Sequence, residues 1–494
     1  MQIPFGEWLP DQPQYNNPGA NTANNVYFAA SSYKRFPSLV NYSTNNIAKD
    51  SRGAGSFRDN SNTVFNFVAT NSDIHQLASG TFTSRKSGLT GGNTDYFTFT
   101  QFGNYVIASN GVDAPQYYLM GTSTNFADLS SIATSGTVPT FKVSGVIRDF
   151  LVTGNHTNNS NRIQWSGIND ISTWASGTKQ SDLQDLPGSG GQITHITSGE
   201  ISYIFRQNQI VRMDYVGGAT VFRLSVISPN RGAVLGRTVC QDNRRVFFYA
   251  DDGFFELNGD NVISIGAEKV NRFFDLDLNK AFTDRICAAV DPFNQLAMWL
   301  YPSASDTSNT TGICDKVIIY NYATQKWSTA DASASTIFSQ FVGAYTVELM
   351  DLISGNLDNI NIALDTDFWN GGQRYLGAID NNYKAAIFSG TDNEGTIETR
   401  EMELFPGHRS SIVNVRPIVD ATSTVTIQSK ERLADTSTES SSSTMVASGD
   451  NPVRQSGRYF KIKVKTPSGS VWTHAQGVDV TASRIGLRWQ KKLI

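Results

Sequence analysis

A cadence of strand, tight turn and strand recurs through this chain from Asn62 to Ala330. Its clearest instance is Arg244 to Gly266, where Val246, Phe247, Phe248 and Tyr249 form a β-rich run that stops at Asp251-Asp252-Gly253. Phe254, Phe255 and Leu257 follow, then Asn258-Gly259, then Val262, Ile263 and Ile265. An Asx-Gly pair between β-branched or aromatic runs supplies the positive φ angles that a tight hairpin needs. Three strands in so short a segment make one meandering sheet.

Similar units run through Thr63–Leu77, Phe97–Leu119, Ile147–Ile168 and Ile193–Gly218, and a last one is split between Asn294–Ser303 and Asp315–Ser328. Their spacing of roughly 40–50 residues matches one four-stranded blade per repeat. The expected fold is therefore all-β, a β-propeller of about six blades. Composition agrees: 17% charged residues, 11% aromatics and 41 glycines suit turn-rich β-structure and not helices. Helical signals are few, with short helices expected at Ala267–Phe274 and Asp128–Ala133.

Three segments follow from this pattern. Residues 1–60, rich in Asn and in turns such as PDQP and NNPG, read as an extended N-terminal arm held by contact with something else, with Trp8, Tyr15, Val26, Tyr27 and Phe28 as anchors. On that reading, removal of residues 1–30 leaves a folded chain that no longer assembles. Residues 61–390 are the propeller, although the cadence loosens after Ala330. Residues 391–494 read as an additional small β-sandwich-like domain. There Gly457–Thr466 places Phe460, Ile462 and Val464 on one face and Lys461, Lys463 and Lys465 on the other, the period of a half-buried strand. Thr424–Gln428 and Val480–Trp489 supply further strands, and Asp435–Asp450 a flexible loop.

Residues that could carry chemistry have simpler roles. Asp251 and Asp252 point to opposite faces of a strand end, so they shape a turn and do not form an acid–base pair. The GSGG run, Gly188–Gly191, lacks the Lys-Ser/Thr and the helix of a phosphate loop. The five histidines, His75, His156, His195, His408 and His474, show no metal-ligand spacing, and Cys240, Cys287 and Cys314 no CxxC. Trp165, Trp174, Trp299 and Trp327 could stack on a sugar, but in blades such rings pack the core. No catalytic residue, cofactor or metal is expected. A net charge of −4 disfavours an open DNA-binding face. No signal peptide and no apolar run of about 18 residues is visible. Trp8, Tyr15 and the Lys461, Lys463, Lys465 stripe are the expected partner-binding residues.

The chain resembles the tail nozzle, or packaged-DNA stabilisation (tail tubular), proteins of short-tailed bacteriophages. The resemblance lies in GEWLPDQP (Gly6–Pro13), FGNYVIASNGVDAPQYY (Phe102–Tyr118), RIQWSGINDISTW (Arg162–Trp174), YADDGFFELNGD (Tyr249–Asp260), IGAEKVNRFF (Ile265–Phe274), AVDPFNQLAMWLYP (Ala289–Pro302) and ELFPGHRSSIVNVRPIVD (Glu403–Asp420), taken in order along nearly the whole chain. It implies a non-enzymatic virion protein, assembled in the host cytoplasm, that forms a homo-hexameric tube at the distal end of the tail. Its partners would be the tail adaptor or head-to-tail connector, tail fibres or spikes, the host cell surface, and genomic DNA passing through the lumen without sequence-specific binding. Six copies would carry a formal charge of about −24, which lets phosphate slide past. Two other classes stay open at this point: a carbohydrate-binding or glycoside-cleaving propeller, and a receptor-binding adhesin.

Overall fold

The computed structural model describes residues 1–218, 220–305, 310–341 and 374–485. The turn chemistry acts as the sequence suggests. Gly253 and Gly259 take φ +128° and +62°, and between them Gly253–Asn258 pairs with both Arg245–Ala250 and Asn261–Ser264. With Cys240–Asp242 these strands form one antiparallel four-stranded sheet.

Four more separate sheets of this kind precede it, starting on Gly53–Arg58, Thr98–Phe102, Phe141–Ile147 and Ile193–Ile196. A sixth blade comprises Cys287–Asp291, Leu296–Tyr301, Cys314–Asn321 and the first half of Lys326–Phe341. The second half of that long strand pairs with Arg374–Asp380, which pairs with Ala385–Gly390, which pairs in turn with Ser38–Asn41. This seventh blade closes the ring. Its inner strand packs against Gly53–Arg58 of the first, and its outermost strand comes from the other end of the chain.

The fold is thus a β-propeller with one blade more than the six sequence units. The seventh escapes a linear reading because its strands are dispersed between Ser38 and Gly390. The two expected helical segments become Asn271–Asp277 and a 3-10 turn at Leu129–Ile132.

Beside the ring lies the expected β-sandwich, built from both chain ends. One sheet contains Gln2–Pro4, Val26–Ala29, Ser32–Arg35, Ala475–Arg484, Ser410–Val419 and Asn451–Gly457. Facing it are Thr22–Asn24, Gly395–Glu398, Met402–Glu403, Tyr459–Thr466 and Thr424–Lys430. Thr438–Glu439 and Ser443–Thr444 add short strands within the stretch read as a loop. Residues 486–494, including Trp489, lie outside the described residues.

Residues 1–60, read as an arm, are therefore structural parts of both bodies. Residues 2–35 complete the sandwich, Ser38–Asn41 closes the propeller and Gly53–Arg58 is the inner strand of its first blade. The physical reason is local polarity. Short strands broken by Asn and Gly carry too few apolar residues to announce themselves, yet each alternate side chain is buried against a partner distant in sequence.

One apolar core joins the two bodies. It includes Ile3, Trp8 and Phe28 from the first strands, Phe460, Ile462 and Val478 from the sandwich, and Phe254, Trp299 and Trp327 from blades five and six. The aromatic rings interlock: Phe254 lies 4.7 Å from Trp299 and 5.0 Å from Trp327, while Trp8 meets Phe273 of the short helix edge-on at 5.0 Å. Trp299 Nε1 donates to the Thr238 carbonyl and Trp327 Nε1 to that of Ile265. Rings of this size dominate burial and orient through edge-to-face contacts.

Candidate functional site

The residues expected to meet a partner occupy the sandwich, and most are engaged within the chain. Trp8 is only 3% exposed, with its indole N–H donating to the Asn21 carbonyl, so it anchors the first strands to the short helix and offers nothing to another molecule. Tyr15, 41% exposed, stacks edge-on against Tyr459. Of the five, Tyr15 and Lys465, whose side chain is 39% exposed, keep the largest accessible surface.

The lysine stripe is built as the alternation requires, with Phe460, Ile462 and Val464 buried beneath it. Its charge, however, is matched from neighbouring segments. Lys461 and Lys463 approach Glu398 at 3.9 and 3.8 Å, Lys463 also lies 3.9 Å from Glu439, and Lys465 pairs with Glu394 at 2.7 Å. Register explains this, since Glu398 sits directly opposite Lys463 on an adjacent strand. A face so compensated is a poor docking site for an acidic partner.

The other candidates resolve into structure. Asp252, in its turn, pairs at 2.6 Å with Arg231 of the loop that follows Phe222–Ser228. Trp165, Trp174, Trp299 and Trp327 are 3%, 2%, 0% and 0% exposed, which leaves none of these rings for a sugar. The GSGG loop has the opposite polarity to an anion cradle: the Gly188 and Gly191 carbonyls, with that of Pro187, accept from the buried Arg206 guanidinium. The three cysteines are free and buried, and burial pushes their thiols up. No helix among the described residues is long and apolar enough to cross a membrane, and no group of His, Cys, Asp or Glu there could hold a metal ion.

Two histidines have a structural role with a measurable consequence. Burial holds the His156 and His195 imidazoles at about 4, below the usual 6.5, with Arg162 adding to the effect at His156. His156 shares a hydrogen bond with the Thr153 hydroxyl at 3.0 Å. The unfolded chain therefore binds more protons below about pH 6.5, and stability falls as pH drops from there to about 4. By pH 5 the loss from His156 should reach about 2 kcal/mol. Urea midpoints at pH 7 and pH 5 measure it, and a His156→Asn/His195→Asn variant should show a smaller drop between the two. An equal drop in both proteins would refute this assignment.

What sequence reasoning missed is the propeller's axial mouth, where residues just ahead of the inner strands converge. Arg285 pairs with Asp50 at 2.5 Å and lies 3.6 Å from Asp284, which also meets Arg52 at 3.4 Å. Arg237, on the 3-10 turn Gly236–Thr238, donates to the Asp284 carbonyl and to the Thr336 hydroxyl. Thr336 in turn donates to the Ser51 carbonyl, tying blade seven to blade one. Burial, with Arg285 and Arg237 beside it, lowers the Arg52 guanidinium to about 10. These residues are far apart in sequence, and no spacing announces them.

No family model matches the chain, and no curated protein matches it. Among solved structures, a chain in the crystal structure of a mitotic checkpoint complex has 10% identity and a TM-score of 0.40, over 74% of this chain and 98% of its own. A chain in the crystal structure of BBS1N in complex with ARL6DN has 8% identity and a TM-score of 0.41, over 72% of this chain and 98% of its own.

Proposed function

We propose that this chain is a structural subunit of a short-tailed phage virion, forming the distal nozzle of the tail. Six copies would close into a tube that retains packaged DNA and conducts it during ejection. The sandwich would supply the platform that meets neighbouring subunits and the adaptor, and the propeller the rigid wall on which fibres dock. The reading rests on the ordered sequence resemblance to tail nozzle proteins.

One structural observation favours a mechanical role of this kind: a single core runs from the sandwich into blades five and six. Without a flexible joint there, load applied to one body passes to the other. A subunit with this architecture can act as a wedge, and heterologous contacts between wedges close into rings when the rotation permits. In this reading there is no catalytic step, and the net negative charge keeps the lumen from gripping DNA.

Negative-stain microscopy of the purified protein, alone and with a portal–adaptor complex, tests the proposal. A ring or tube with a central channel is the expected image in at least the second sample. A lone monomer under both conditions overturns the nozzle assignment, and tight, salt-sensitive binding of duplex DNA overturns the non-stick lumen.

A further inference from the structure

The axial mouth contains a cavity of about 190 Å³ between the starts of the inner strands. Its wall carries two cations, Arg237 without an ion pair among the described residues and Lys142 with a single long one. Arg237 hydrogen-bonds only to neutral acceptors, the Asp284 carbonyl at 3.2 Å and the Thr336 hydroxyl at 3.3 Å, and makes no ion pair among the described residues. Lys142 has one carboxylate, Asp95, at 3.9 Å, too long for a hydrogen bond. Both lie near one ring: Lys142 Nζ is 4.7 Å and Arg237 Cζ 5.9 Å from the centroid of Tyr96.

The acidic groups nearby are already committed. Asp284 is shared by Arg52 and Arg285, and Asp95 accepts from the Gly92 N–H at 2.9 Å. Burial pushes the Tyr96 hydroxyl up to about 12, which keeps it protonated as a donor. Gln192 and Thr94 add polar groups to the lining. Gly236 matters sterically, because a Cβ there would sit 1.9 Å from the Thr194 carbonyl and 3.2 Å from the Tyr96 hydroxyl. A glycine lets the turn that bears Arg237 press against its neighbours.

We propose that this pocket binds a small free oxyanion of the phosphate class, held between Arg237 and Lys142 with Tyr96 at its side. Guanidinium and ammonium donors form strong charge-assisted hydrogen bonds with such oxygens. The volume sets the size, being below the roughly 300 Å³ at which sites for larger organic ligands begin. An anion here would bridge blades two, three and five at the axis and so brace the ring. The site is independent of the nozzle assignment and stands or falls without it.

Calorimetric titration of the full chain with inorganic phosphate at low ionic strength tests the idea, with succinate as a carboxylate arm and matched sodium chloride as the control. Saturable phosphate binding is expected, together with a rise in melting temperature that chloride does not reproduce. Lys142→Gln should weaken binding about tenfold or more, the loss of one charge-assisted contact, and Arg237→Gln should abolish it. Lys86→Gln, a surface cation paired with Asp128, should change nothing. If Arg237→Gln does not fold, Lys142→Gln, whose side chain is 28% exposed, decides the matter alone. No saturable heat up to tens of millimolar phosphate, or binding that survives these substitutions, overturns the site, and succinate binding more tightly than phosphate overturns the phosphate class.

Discussion

Removal of residues 1–30 is expected to unfold the sandwich. The deletion takes away Gln2–Pro4, Thr22–Asn24 and Val26–Ala29, strands that belong to both sheets, and leaves Ser32–Arg35 without its hairpin partner. It also strips Ile3, Phe5, Val26 and Phe28 from the core, all of them 5% exposed or less. Each such side chain contributes about 1.5–3 kcal/mol when buried, against a typical domain stability of about 5–15 kcal/mol. Hydrogen exchange should show protection lost across Ser410–Val419, Tyr459–Thr466 and Ala475–Arg484, with the outer blades far from the junction retaining theirs. Unchanged exchange in those three strands would mean the first residues are the dispensable arm that their composition suggests.

Trp299→Ala is the second large effect. Trp299 is 0% exposed, stacks at 5.9 Å on Trp327, touches Phe254, and satisfies the Thr238 carbonyl through its indole N–H at 2.8 Å. Truncation opens a cavity where the two bodies share their core and strips that carbonyl of the indole donor. A loss of about 3–5 kcal/mol is expected from urea denaturation at pH 7. Trp299→Phe should cost less, because it keeps most of the ring volume. Thr238 ends the turn that carries Arg237, so the alanine variant should also loosen the axial mouth. A loss below about 1 kcal/mol would show that the junction repacks around the gap and that the two bodies are not mechanically joined there.

The N-terminal region shows why part of the fold was legible and part was not. The blade around Asp251-Asp252-Gly253 is coded within a few residues, since its turns need Gly or Asn and its strands need alternating apolar side chains. The lysine strand likewise declared its buried face, Phe460, Ile462 and Val464, through period-2 alternation. Trp8 declared only that it was aromatic. Whether it met another protein or the helix bearing Phe273 depended on a contact across more than half the chain. The same holds for Glu398 and Glu394, in and just before a separate strand, which neutralise the lysines.

By itself, then, the sequence determined the all-β class, the meander of the first six blades and the alternation of the terminal sandwich, because hairpins and strand faces are set by near neighbours. Only the tertiary structure decided that Ser38–Asn41 closes the ring, that both chain ends build one platform, and that Arg52, Arg237 and Arg285 gather at the axis. Those arrangements follow from pairing between segments tens to hundreds of residues apart. Edge hydrogen bonds, core volume and charge compensation select the partner in such pairings, and none of these leaves a local pattern in the chain.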